Sequence, residues 1–243
     1  VNTILPIQKT ETITKELKIG DKNFIVRPWL TKEEKNFLIE KSIIEKKNKE
    51  PGVNEIYNLL IKTLVKPCVI NGDIDNLSFD EVRYLIVFIK KISSGEVIED
   101  IVVKCPSCNT PINLNVNLDN IEFKEFDRSI KKINDNLSIK FKPIPFKMIK
   151  ENEDDLFYLY NSIDEIIIDD IVYKNFTRKN WDEYLDSLSI SDSKKIGEVL
   201  SECFTDFKIK AQTYCIKKDC KHSFESKNPI ILDLSDKENF YLP

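Results

Sequence analysis

Apolar positions along the chain recur with two different periods, and the switches between them outline the elements. In KELKIGDKNFIV they alternate, which predicts two short strands joined at Gly20-Asp21. Pro28 stops the second strand. Thr31, with Glu34 three residues on, forms a capping-box pattern that predicts a helix over about 32–48, broken by Pro51-Gly52. In VNEIYNLLIKTLV, Val53, Ile56, Leu60 and Leu64 share one face of a second helix, and INGDIDN reads as a loop. Ser78 and Glu81 form a second capping box for FDEVRYLIVFIKKI, a helix apolar around most of its circumference and therefore expected to be buried.

After Ser93-Ser94-Gly95 the period becomes two. EVIEDIVVKC, TPINLNVNL, IEFKEF and LSIKFKPI read as four strands, with the turn formers Asn134, Asp135 and Asn136 between the last two. Pro143 and Pro145 end this run. FKMIKENEDDLFYLYNSI then reads as a helix and EIIID as a short apolar piece, before two helices started by Thr177 and Ser191. FKIKAQTYC and KHSFES follow with strand-like patterns, and PIILDLSDKENFYLP closes the chain. The order predicts an α+β fold, a helical N-terminal part packed on a mixed β-sheet, as one composite domain over 1–243. Its parts are a strand pair plus helices (13–92), a β-rich part (96–145), a helical insertion (146–204) and return strands (205–243).

Composition narrows the function classes. With 41% hydrophobic and 32% charged residues and a net charge of −4, the chain is expected to be globular and soluble, without a surface given over to nucleic acid. No apolar run approaches the ~18–20 residues that span a bilayer. The five glycines are scattered, so neither a P-loop nor a dinucleotide fingerprint is present. The first twenty residues lack the layout of a signal peptide, and a cytoplasmic location is expected.

The six cysteines carry the strongest chemical signal. Cys105 and Cys108 form C-x2-C, and Cys215 and Cys220 form C-x4-C, each pair between strand-like stretches and with 106 residues between the pairs. Both spacings suit the knuckles of a zinc ribbon, where about two to four residues separate paired ligands. Four thiolates complete a tetrahedron with no open position, so the implied cofactor is a structural zinc that does no chemistry. Such a site would clamp the strand before Cys105 to the strand before Cys215. Lys104, Lys217, Lys218 and Lys221 would favour the thiolate forms. Iron in the same cage, His222 replacing Cys220, a disulfide and unmetallated thiols are the alternatives. Cys68 and Cys203, each near a helix end, read as small core residues.

Other constellations are weaker. ENEDD, SIDEIIIDD and WDEY would permit a carboxylate metal site, hence a metal-dependent hydrolase, but acids around a buried strand read first as turn and surface residues. The single histidine lies at a knuckle and supplies no triad. Lys217, Lys218 and Lys221 beside Tyr214 and Phe224 give the alternative function, a zinc-ribbon nucleic-acid-binding protein.

Several blocks in order carry a resemblance. A short strand runs into VRPWLTKEEKNFLIEKS. The helix FDEVRYLIVFIKKISSGEVI leads into EDIVVKCPSCNTPINLNVNLDNIEF, and LSIKFKPIPF follows. This order, over residues 15–145, resembles the baseplate hub and hub-assembly protein family of T-even-type contractile-tailed phages (myoviruses); beyond it only the layout matches. The resemblance implies a non-enzymatic structural or assembly protein in the virion tail baseplate, present in the host cytoplasm during assembly. The implied partners are other baseplate and tail proteins, hub and wedge components in a larger symmetric assembly, with no nucleic acid and no membrane. Arg27, Pro28 and Trp29 are the nominees for interface packing. The four-cysteine set is not general in that family, so metal binding would be a local addition.

Overall fold

The computed structural model describes residues 13–47, 53–148 and 155–234. The chain packs as two compact units, one from residues up to Gly72 together with Phe88–Gly95, the other from Asp73–Val87 and Glu96 onward.

In the first unit, β1 (Lys15–Ile19) and β2 (Lys22–Val26) form the expected hairpin, with Gly20 at φ 62 in the turn. A third strand, β3 (Val69–Asn71), lies along the free edge of β2, where a loop was expected. Three residues are too few to show a period. Gly72 follows at φ +127, and a Cβ there would sit 2.2 Å from Cδ1 of Phe24, so only glycine fits.

Helix α1 (Thr31–Lys47) starts one residue earlier than the Thr31 box predicts. The Leu30 carbonyl accepts from the N–H groups of Glu33 and Glu34, and the Glu33 carboxylate accepts from the Leu30 N–H at 2.7 Å. Glu33 rather than Glu34 closes the cap because Arg27 also holds its carboxylate. In α2 (Val53–Leu60) and beyond, Ile56, Leu60 and Leu64 are buried as their spacing predicts; the side chain of Val53 lies outside the described residues. A π-helical turn over Ile61–Val65 precedes the short α3 (Lys66–Cys68). Pro67 has no N–H and would crowd the carbonyl four residues back, so the helix widens before it.

The Arg-Pro-Trp corner packs inward. Trp29 is buried and its backbone N–H donates to Ser93 Oγ at 3.0 Å, while the Arg27 guanidinium binds the Glu33 carboxylate. Arg27 and Trp29 therefore contribute to packing within the first unit.

Helix α4 (Phe79–Ser94) gives residues to both units. Its capping box is formed as read: Ser78 N–H donates to Glu81 Oε2 at 2.7 Å and Glu81 N–H to Ser78 Oγ at 3.3 Å. Val82, Leu85, Ile86, Val87 and Ile89 are fully enclosed, in line with the apolar run.

Among the described residues the second unit holds three small sheets in place of one. β4 (Val97–Lys104) pairs with β5 (Pro111–Asn117); β6 (Ile121–Lys124) pairs with β11 (Asp206–Thr213), which pairs with β12 (Ile230–Asp233). The third sheet is a meander of β7 (Ile130–Lys132), β8 (Leu137–Phe141), β9 (Ile163–Ile168) and β10 (Ile171–Tyr173). The Asn134–Asn136 turn joins β7 to β8, with Asn134 Oδ1 accepting from the N–H groups of Asn136 and Leu137. Every named pairing is antiparallel, so the fold is α+β with several small antiparallel sheets.

The stretch 146–204, expected as a helical insertion, also supplies β9 and β10. Its helices are α5 (Asp155–Asn161), α6 (Arg178–Ser187) and α7 (Ile190–Cys203); residues 149–154 of the helix read there lie outside the described residues. Thr177 caps α6 in a full capping box with Asn180. Ser189, not Ser191, caps α7, because its hydroxyl reaches the Asp192 N–H. Trp181, Ile196, Leu200 and Cys203 pack with Ile139, Phe141 and Ile163 of the meander into one core.

Candidate metal centre

Each cysteine pair sits at the tip of a hairpin. The first tip joins β4 to β5, where Lys104 pairs with Pro111, and the second joins β11 to β12, where Thr213 pairs with Ile230. At the first, Cys105 N–H donates to the Thr110 carbonyl at 3.0 Å and Asn109 N–H to the Cys105 carbonyl at 2.9 Å, with Asn109 left-handed at φ 56. That reversal turns Cys108 back beside Cys105. At the second, Cys215 N–H donates to the His222 carbonyl at 2.7 Å and Ser223 N–H to the Cys220 carbonyl at 2.9 Å. KHSFES, read as a strand, is therefore a series of turns touching the ladder only through a Cys215–Ser223 bridge. The chain must fold back there to bring Cys220 inward.

The four sulfurs lie within 4.8 Å of one another. Cys105 and Cys220 are 3.6 Å apart and Cys108 and Cys215 3.5 Å, each contact crossing from one tip to the other. A disulfide needs about 2.05 Å, and all six cysteines are free thiols. Thiolates about 2.3 Å from a zinc ion at the corners of a tetrahedron stand roughly 3.8 Å apart. The spacing and the soft donor set therefore fit a tetrathiolate ion, and these four cysteines could hold a metal such as zinc. A metal held there would join the two hairpin tips, while β4 and β11 belong to separate sheets. The His222 ring is turned away, its Nδ1 3.2 Å from the Asn228 carbonyl, and Cys220 occupies the fourth corner.

The surroundings make the thiols unequal. The Thr110 hydroxyl, 3.1 Å from Cys108 Sγ, and the Thr110 backbone N–H bring Cys108 down to about 6. Burial raises Cys215 despite the Lys217 N–H aimed at its sulfur at 3.4 Å. The His222 N–H lowers Cys220, but burial and the three neighbouring thiols outweigh it and push it up to about 12. A divalent ion held by these four sulfurs would supply the positive charge that favours thiolates at Cys215 and Cys220, whose protons the apo cluster retains more tightly than an ordinary thiol. Thr110 was not singled out from the sequence, although its place two residues after Cys108 in a tight turn was the available sign.

The remaining candidates resolve into structural roles. Cys203 is buried in the second unit's core and Cys68 is buried in the first. Lys140 binds Asp164 and Glu165, Lys174 binds Glu165, Arg178 binds Asp182 and Lys179 binds Glu183. The acids of SIDEIIIDD and WDEY thus include ion-paired surface groups, and Asp169 and Asp170 form a left-handed turn. Residues 151–154 of ENEDD lie outside the described residues. No helix among the described residues is long and apolar enough to cross a membrane.

No curated protein and no solved structure matches the chain. The model of one family, T4 bacteriophage base plate protein, matches residues 9–232, a span that covers most of both units and all four clustered cysteines. The chain belongs to the T4 bacteriophage base plate protein family.

Proposed function

We propose that the chain is a non-enzymatic structural or assembly component of the hub region of a contractile-tail baseplate, binding hub and wedge proteins rather than nucleic acid. Family membership makes it a baseplate component. The hub assignment rests on the ordered blocks over residues 15–145. Localising the chain in isolated baseplates by electron microscopy tests it: density on the central axis is expected, and density confined to the outer wedges overturns the hub assignment.

Structural zinc at Cys105, Cys108, Cys215 and Cys220 is the second part of the proposal, carried by the convergence of four thiols from two hairpin tips. Elemental analysis of native protein is expected to give about one zinc per chain. Iron in its place, or equal metal content in Cys108→Ser, rejects the site as drawn. The two units are further proposed to act as one composite domain, because α4 runs unbroken through both.

A further inference from the structure

The second hairpin tip carries large apolar side chains that are mostly exposed. Ile216 is 73% exposed and Phe224 75% exposed. Both are attached to pinned backbone. Ile216 directly follows Cys215, and Phe224 follows Ser223, which is bridged to Cys215 and bonded to the Cys220 carbonyl. The Phe224 ring also rests edge-on against Tyr214 at 5.2 Å between centroids. Two bulky apolar groups held on a fixed turn lose little further freedom on association, which is what an interface anchor requires.

The charges around them are equally unspent. Lys217, Lys218, Lys221 and Lys227 are exposed, and among the described residues none of the four is in an ion pair. Two lysines of the adjoining β11 are paired, Lys208 with Asp206 and Lys210 with Glu122. Only Asp219 and Glu225 offset the four lysines within this tip, on a chain whose net charge is −4. The tip is therefore a local reversal of the protein's overall sign.

We propose that this tip is a docking surface, in which Ile216 and Phe224 enter an apolar recess rimmed with acidic side chains on another baseplate protein. The lysines meet the rim, speed encounter and fix register. The assignment rests on the baseplate reading and names its contact surface. A protein partner is favoured over nucleic acid because Ile216 has no face on which a base could stack.

The test uses baseplate intermediates assembled without this chain and titrated with the purified full chain. Ile216→Ser with Phe224→Ser is expected to raise the half-saturating concentration about 30-fold, the loss typical of truncated anchors. Lys217→Glu with Lys218→Glu, which leaves the apolar groups in place, is expected to slow incorporation and to flatten its dependence on salt. Metal content and melting temperature matching the native chain establish that each variant is folded, and if the serine pair misfolds the glutamate pair decides alone. Wild-type incorporation by folded variants overturns the docking surface and leaves the baseplate reading standing. Binding abolished by nuclease also overturns it, in favour of nucleic acid. Failure of the native chain itself to join the intermediates overturns the baseplate reading, and the docking surface with it.

Discussion

Cys68 in the first unit and Cys108 in the second are the same thiol driven in opposite directions. Burial, with the Glu33 carboxylate close by, pushes Cys68 up to about 12 even though the Arg27 guanidinium pulls the other way. Its sulfur lies 3.7 Å from Glu33 Oε2 and 3.8 Å from Arg27 Nη1, and the Arg27 N–H donates to its carbonyl at 2.9 Å. Cys68 is thus a neutral filler at the edge of an ion pair. Cys108 faces a hydroxyl and a backbone N–H and is drawn down to about 6. The first unit holds its strand-to-helix corner with a partly buried charge pair; the second brings together four thiols from two hairpin tips far apart in sequence. Donors and charges within 4 Å, rather than residue type, decide whether a cysteine is a ligand or a packing group.

The largest effect that should separate the two is removal of the metal site. Chelation, or Cys108→Ser, is expected to remove the ion and lower the melting temperature by about 10 °C or more. Structural zinc can contribute on the order of 10 kcal/mol, less where other contacts already hold the fold. Cys68→Ser should leave metal content unchanged. Elemental analysis with calorimetry reads both, and one calorimetric transition moving as a whole is the result expected of a composite domain. The affinity for zinc should rise by about 100-fold or more per pH unit near neutrality, because binding displaces protons from both Cys215 and Cys220.

The next effect belongs to the first unit. Glu33→Gln should cost about 3 kcal/mol, since it strands the Arg27 charge and weakens the cap on Leu30. Burial alone would raise Glu33, but the bonds from Arg27 and the Leu30 N–H bring it below its ordinary value of 4.5. The folded state therefore holds its proton less tightly than the unfolded chain. The stabilisation is complete above pH 4.5 and lost as pH falls through the depressed value. Denaturant titrations at pH 7 and pH 3 should show the variant's deficit shrinking in acid.

The smallest effect concerns Lys90 on α4, also in the first unit. Burial lowers it from 10.5 to about 8, against the pull of Glu34. Between those values the unfolded chain binds the extra proton, so Lys90 makes stability rise with pH across the window from about 8 to 10.5. Measured against Lys90→Gln, the native chain should gain about 2 kcal/mol between pH 8.5 and 10.5. A flat difference would show that the ammonium is well solvated.

Elements with a local chemical signature were legible in the sequence. The Ser78–Glu81 and Thr177 caps, the Gly20 hairpin and the two cysteine pairs each declare themselves within six residues. What failed to show was set by distant partners. The three-residue β3 exists because the distant β2 pairs with it, while β7 and β10, equally short, pair with the next strand in sequence and are too brief to show a period. Division of the strands among small sheets follows from pairings such as β6 with β11, separated by more than eighty residues. KHSFES alternates like a strand, but the need to seat Cys220 overrides its pattern. The starts of α1 and α7 shifted by one or two residues because Glu33 and Ser189 offered better-placed oxygens than Glu34 and Ser191.

The separation of the two knuckles has a consequence in time. A ribosome adding about 5–20 residues per second needs roughly 5–20 s to pass from Cys108 to Cys215. Throughout that interval the first hairpin can be complete while half of the thiol cage has not been synthesised. The cluster therefore closes only after the meander and α7 have been made, and its closure marks a chain in which everything between the two tips is present.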